Sequence, residues 1–155
     1  MQLYPGVNAQ YVYLWYPKGD CVIERNVFID SGGLSLSSGP VSVSVRNNVF
    51  HGNQGDGFGM RFAIEVWTGG PSTLLIENNS FLSTDRVAVA IEGDSTTASA
   101  VNNYWGTSQT ATIDAMIHDQ NDDFSLAGRV PYTPFLTAPH ADTPDPRPQS
   151  LPPME

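Results

Sequence analysis

Cys-Val-Ile-Glu-Arg-Asn-Val-Phe (21–28) recurs as Val-Ser-Val-Arg-Asn-Asn-Val-Phe (43–50) and as Leu-Leu-Ile-Glu-Asn-Asn-Ser-Phe (74–81). A fourth, more altered copy is Ala-Ser-Ala-Val-Asn-Asn-Tyr-Trp (98–105). Each copy runs from small or branched residues into a polar residue and an asparagine, with an aromatic two positions on. The shared asparagines are 26, 48, 79 and 103, so the steps are 22, 31 and 24 residues. A repeat of this length with variable insertions describes a solenoid, in which each unit buries its apolar face only against its neighbours.

A second set of segments alternates with the first: 11–16, 33–38, 62–67 and 87–92. Their apolar residues recur every second position, the pattern of half-buried strands. Aligning Leu14, Leu36, Val66 and Ile91 gives steps of 22, 30 and 25, close to those of the asparagines. Two strand sets advancing together predict a chain wound about one axis, with parallel, in-register pairing between coils. The expected inward residues are Val12, Leu14, Leu34, Leu36, Ile64, Val66, Val89 and Ile91 on one sheet. On the other they are Cys21, Ile23, Val43, Val45, Leu74 and Ile76. Phe28, Phe50, Phe81 and Trp105 form an aromatic column that fixes the register. The asparagine column marks the turns, because Asn tolerates left-handed backbone and its amide bonds to the neighbouring coil.

After Trp105, Ile113, Met116 and Ile117 are spaced as on one face of a short helix. The segment 130–136 follows as an extended closing piece, and prolines at 139, 144, 146, 148, 152 and 153 mark a tail. The chain therefore divides into coils over 1–108, a cap over 109–137 and a Pro-rich tail or linker over 138–155. The overall expectation is an all-β solenoid of about four coils with a short C-terminal helical cap.

The repeats resemble right-handed parallel β-helix proteins of the pectin-lyase-like superfamily. The endings Asn102-Asn-Tyr-Trp-Gly106, Ile113-Asp-Ala-Met-Ile-His-Asp119 and Val130-Pro-Tyr-Thr-Pro-Phe-Leu136 resemble the last coil and cap of bacterial members. The resemblance covers roughly residues 10–137. It implies the fold and an extracellular or cell-surface setting. It does not imply one activity, because the superfamily holds lyases, glycosidases, epimerases and proteins of no known activity. The polygalacturonase and pectate-lyase motifs are missing from the strands. The leading expectation is a non-catalytic module of an exported or surface bacterial protein that contacts carbohydrate. A polysaccharide lyase or glycoside hydrolase, and a structural spacer, are the competing readings.

Seven basic residues against sixteen acidic ones give a net charge of −9. Such a surface repels nucleic acid, and it disfavours a polyanionic glycan that calcium does not bridge. No run is long and apolar enough for a membrane span. Cys21 is the only cysteine, so no disulfide forms within the chain and a small core role is expected. Gly55, Gly57 and Gly59 fail the spacing of a phosphate loop.

Alternation turns Tyr13, Trp15, Ser35, Ser37, Arg61, Glu65, Trp67, Ala90 and Glu92 away from the core, onto a solvent-facing strip. Trp15, Arg61, Glu65, Trp67 and Glu92 are its candidate ligand-binding residues: aromatics stack on sugar rings, and paired carboxylates serve hydrolysis. Glu65 and Glu92 fall on separate columns, as diagonal neighbours. Asp119, Asn121 and Asp123 offer oxygens at the spacing that opens a calcium loop, the one cofactor the sequence raises. The loop then lacks a glycine at its sixth position (Phe124) and an acid at its twelfth (Val130). Met1–Gln10 is too short for an equivalent cap at the first coil, so a homodimer through that coil is expected; in a piece of a longer protein, the missing coils would fill that place instead.

Overall fold

The computed structural model describes residues 11–37, 39–53, 62–67, 71–92 and 98–146. Its strands form three sheets, and every pairing is parallel. The first sheet stacks β1 (Tyr11–Leu14), β4 (Gly33–Leu36), β7 (Ile64–Val66), β10 (Val89–Ile91) and β12 (Ile117–His118). The second stacks β2 (Cys21–Glu24), β5 (Gly39–Arg46), β8 (Pro71–Glu77) and β11 (Ala98–Ser99). The third stacks β3 (Val27–Ile29), β6 (Val49–His51) and β9 (Ser80–Phe81), extended by a bridge from Ser80 to Tyr104. Each coil visits the three sheets in turn.

The registers are those of the repeats. Leu14, Leu36, Val66 and Ile91 are successive partners, as are Cys21, Val43, Leu74 and Ala98. The two-strand coil drawn from the sequence is corrected to three strands. The third strand is only two or three residues long, too short for alternation to reveal, and it carries the aromatic column.

The corner between the second and third sheets explains the doubled asparagine. Asn47, Asn78 and Asn102 take left-handed backbone, with φ of 55°, 57° and 57°. The following residue of each pair bonds across coils instead. The Asn48 backbone N–H and Nδ2 both donate to Asn79 Oδ1, at 2.9 and 3.0 Å. The Asn79 backbone N–H and Nδ2 donate in the same way to Asn103 Oδ1, at 2.8 and 3.0 Å. Asn26 donates both groups to Asn48 Oδ1. Nδ2 of Asn48, Asn79 and Asn103 also reaches back to the carbonyls of Ile23, Val45 and Ile76 in the preceding coil. The sequence reading gave one column both tasks; the structure divides them between adjacent residues. Asn48, Asn79 and Asn103 are fully buried, so these bonds replace partners that water would otherwise supply.

Inside the coils, Leu34, Leu36, Ile64, Val66, Val89 and Ile91 face Val43, Val45, Leu74 and Ile76 in one core. Phe28, Phe50, Phe81 and Trp105 stack with centroid separations of 4.8, 5.2 and 4.8 Å. At the N-terminal end the inward set is incomplete. Val12 is 46% exposed, and Leu14, Cys21 and Ile23 are only partly buried.

At the other end, the helix α1 (Thr110–Asp114) ends before Met116. The expected helical triplet is therefore split: Ile117 opens β12 and pairs with Val89 as a fifth rung. Ile113, Met116 and Ile117 are all buried nonetheless. The segment 129–136 lies along the last coil, with Ala98, Ala100 and Asn102 donating to the carbonyls of Arg129, Pro131 and Pro134. Tyr132 sets its ring edge-on to Trp105 at 6.0 Å and donates its hydroxyl to Asp114 at 2.7 Å. The tail expected from residue 138 still contacts the body at His140 and Thr143. His140 Nδ1 lies 3.1 Å from Asn47 Nδ2, and Thr143 Oγ1 donates to the Asn78 carbonyl at 3.1 Å.

Two substitutions test this packing. Phe50→Ala removes a ring held between two others and is expected to cost about 3–5 kcal/mol in urea melts. A loss under about 1 kcal/mol would mean that the column is not buried. Arg25 has φ 56° where the next three coils place Asn, and left-handed backbone costs a side-chain-bearing residue ~1–2 kcal/mol. Arg25→Asn should recover part of that and raise the melting temperature; a lowered one would contradict the account.

Candidate functional site

Beyond their paired residues, β4, β7 and β10 each continue in register for one more residue. Ser37, Trp67 and Glu92 donate their backbone N–H to Leu14, Leu36 and Val66 of the preceding coil. This places Trp15, Ser37, Trp67 and Glu92 in one outward column. Tyr13, Ser35, Glu65, Ala90 and His118 form the column beside it. Rungs in a sheet are ~4.8 Å apart, so Trp15 and Trp67 stand about 10 Å apart across Ser37.

The two columns differ in exposure. Trp15 is 63% exposed, and Tyr13 and Trp67 are exposed to lesser degrees. Tyr13 stacks on Trp15 at 5.5 Å. Tyr16 joins them edge-on at 5.1 Å and is itself exposed. Alternation would have sent Tyr16 to the opposite side of Trp15. A left-handed backbone at Tyr16, φ 46°, brings the two rings together. That conformation is an outlier for a bulky residue, and no sequence period signals it. Tyr16 is the surface residue that the sequence reading missed.

The solvent-facing strip is corrected at its centre. Ser35, Ser37, Glu65 and Ala90 are buried, and Glu65 is only 2% exposed. Its Oε2 accepts from the Ser35 hydroxyl at 3.1 Å and from the Trp67 indole N–H. Two donors aimed at one buried oxygen satisfy that oxygen and fix the Trp67 ring. Glu92 is half-buried and lies one rung on, in the neighbouring column, so the two carboxylates are diagonal as the repeat alignment places them. Arg61 lies outside the described residues.

The loop after β12 holds the candidate calcium oxygens in a network of its own. Asp119 is buried; its Oδ1 accepts from the Asn121 N–H at 2.8 Å and its Oδ2 from the Val130 N–H at 2.7 Å. Asp123 Oδ1 accepts from the Ser125 hydroxyl and backbone N–H, which lower its carboxyl pKa below the usual value. Among the described residues no group of three or more His, Cys, Asp or Glu is arranged to hold a metal ion. An open depression of about 730 Å³ lies beside the loop, bordered by Gln120, Asn121, Arg129 and Tyr132. Burial, and then the bond to Asp114, raise the Tyr132 phenol above its ordinary pKa, so it remains a neutral donor that ties the cap to the closing segment. No described helix is long and apolar enough to cross a membrane.

A family model described as a right-handed beta helix region matches residues 7–115. No curated protein and no solved structure gives a match.

Proposed function

The chain belongs to the right-handed β-helix family, and within it we propose a non-catalytic module of an exported or surface bacterial protein that contacts carbohydrate. Tyr13, Trp15, Tyr16 and Trp67 form the contact surface. One observation carries this reading: four exposed aromatics gather on the outer face of one sheet, and one of them is held there by strained backbone. Strain of that kind is kept where the surrounding structure has a use for it. Flat rings with polar edges suit the apolar faces and hydroxyls of sugars. Trp15 and Trp67, about two rungs apart, would stack on separated residues of a glycan running along the stack. The net charge of −9 selects a neutral glycan over a polyanionic one.

Glu65 supports the binding reading over the enzymatic one. A catalytic carboxylate must reach its substrate, whereas this one is covered and spends its oxygen on Ser35 and Trp67. Its role in the proposal is to set the angle of the Trp67 ring.

The test is a panel of neutral and acidic polysaccharides, measured by affinity electrophoresis and calorimetry, with product release followed in parallel. Trp15→Ala and Trp67→Ala should each weaken binding of a neutral glycan by about tenfold, or ~1.4 kcal/mol. The melting temperature should hardly move in Trp15→Ala, whose ring is exposed, and should fall in Trp67→Ala, which takes a donor from buried Glu65. Affinity unchanged in both variants would remove this surface. Release of reducing ends or unsaturated products, abolished by Glu65→Gln or Glu92→Gln, would establish a hydrolase or lyase instead.

A further inference from the structure

The open depression beside the loop after β12 has a volume of about 730 Å³, within the ~300–1,000 Å³ of small-molecule sites. One wall is the chain that leaves β12, residues 119–121, and the other is residues 127–133. Buried Asp119 ties the walls together: its Oδ2 accepts from the Val130 N–H and its Oδ1 from the Asn121 N–H. The Gln120 N–H donates to the Gly128 carbonyl at 3.0 Å. The far wall is held in turn by the last coil, where Ala98 and Ala100 donate to the Arg129 and Pro131 carbonyls. Backbone bonds therefore fix the shape of the depression, so a ligand meets a site that is already formed.

The polar side chains around it are oriented but not used up. Arg129 Nε donates to Gln120 Oε1 at 2.9 Å, which sets the plane of the guanidinium. The two Nη groups of Arg129, Nε2 of Gln120, the Asn121 side-chain amide and the Thr133 hydroxyl make no hydrogen bond with the described residues. The Tyr132 hydroxyl is taken by Asp114, which leaves its ring as the apolar part of the wall. Asp119 and Arg129 are the only ionised side chains of the lining, so the lining carries no net charge.

We propose that this depression binds one residue of a neutral carbohydrate, with Arg129, Gln120 and Asn121 bonding its hydroxyls and the Tyr132 ring facing its apolar side. A guanidinium fork and planar amides present paired groups in fixed geometry, and sugar hydroxyls, which both donate and accept, can bond to each. Aromatic rings suit the C–H faces of sugars. A carboxylate or phosphate would meet Asp119 and a chain of −9 with Arg129 alone to offset them. The site deepens the carbohydrate reading above, on which its choice of ligand rests, and it shares no residue with the aromatic surface. β12 is the last rung of the sheet that carries Trp15 and Trp67, and residues 119–121 leave directly from it.

Titration of the ¹⁵N-labelled chain with glucose, galactose, mannose and xylose, and with linear oligomers of each, tests the proposal. At least one of these sugars should shift the Arg129 Nε–H, the Gln120 and Asn121 side-chain amides and the backbone of 119–133. Arg129→Lys, which keeps the charge and loses the fork, and Asn121→Ala should each raise the Kd at this site about tenfold. Asn121 is exposed, and its alanine variant keeps the backbone N–H that Asp119 holds, so this variant decides if Arg129→Lys fails to fold. Trp15→Ala should leave these shifts unchanged. Shifts confined to the Trp15 and Trp67 indoles would overturn this site and leave the aromatic surface standing. Shifts at the depression alone would sustain this site and remove the aromatic one, and no shift at either would overturn both. Glucuronate bound more than about tenfold tighter than glucose would overturn the choice of a neutral ligand.

Discussion

A coil of this fold must turn its backbone out of one sheet and into the next without stranding N–H and C=O groups in the interior. The amides of Asn48 and Asn79 meet that demand at the corner between the second and third sheets. Each accepts from the coil before, donates to the coil after, and reaches back to a carbonyl of the coil before. A buried amide left without such partners would cost about 1–3 kcal/mol. The corner is therefore stable only when the coils are in one register. A slip of one residue would part each amide from its partner in the next coil and turn the core side chains outward.

The other columns follow from that register. Once the corners are fixed, Phe28, Phe50, Phe81 and Trp105 are stacked, and Leu14, Leu36, Val66 and Ile91 are aligned on the opposite sheet. The outward columns inherit the alignment, which is why Trp15 and Trp67 fall in one line although they are 52 residues apart in sequence. The proposed binding surface is thus positioned by polar bonds on another wall of the coil. Insertions can lengthen a turn, as the 31-residue step does, without disturbing the columns, because the corners are pinned individually.

The fold was legible because its determinants repeat. Cys21, Val43, Leu74 and Ala98 share a place in the sequence and a place in the sheet. What escaped the sequence has local physical causes. The third sheet escaped because its strands are too short to show alternation. The left-handed residue was placed one position late because Asn47-Asn48 and Asn78-Asn79 do not say which partner turns and which bonds. Ile117 was read as helical because helical spacing was projected across the end of α1 into β12. The surface was the least legible part. Alternation sends Glu65 outward, but it does not report that the outward face of that rung is covered. Tyr16 depends on a single strained torsion that carries no sequence period.

The account turns on whether asparagines of neighbouring coils act together, and a double-mutant cycle on Asn48 and Asn79 measures that directly. Asn48→Ala, Asn79→Ala and the double variant would be compared by urea unfolding at equal m-values. Both changes remove the bond from Asn48 Nδ2 to Asn79 Oδ1, so the pair should be non-additive, with a coupling of roughly 1 kcal/mol. Additivity within about 0.3 kcal/mol would contradict the account, since it would mean that each asparagine serves only its own turn.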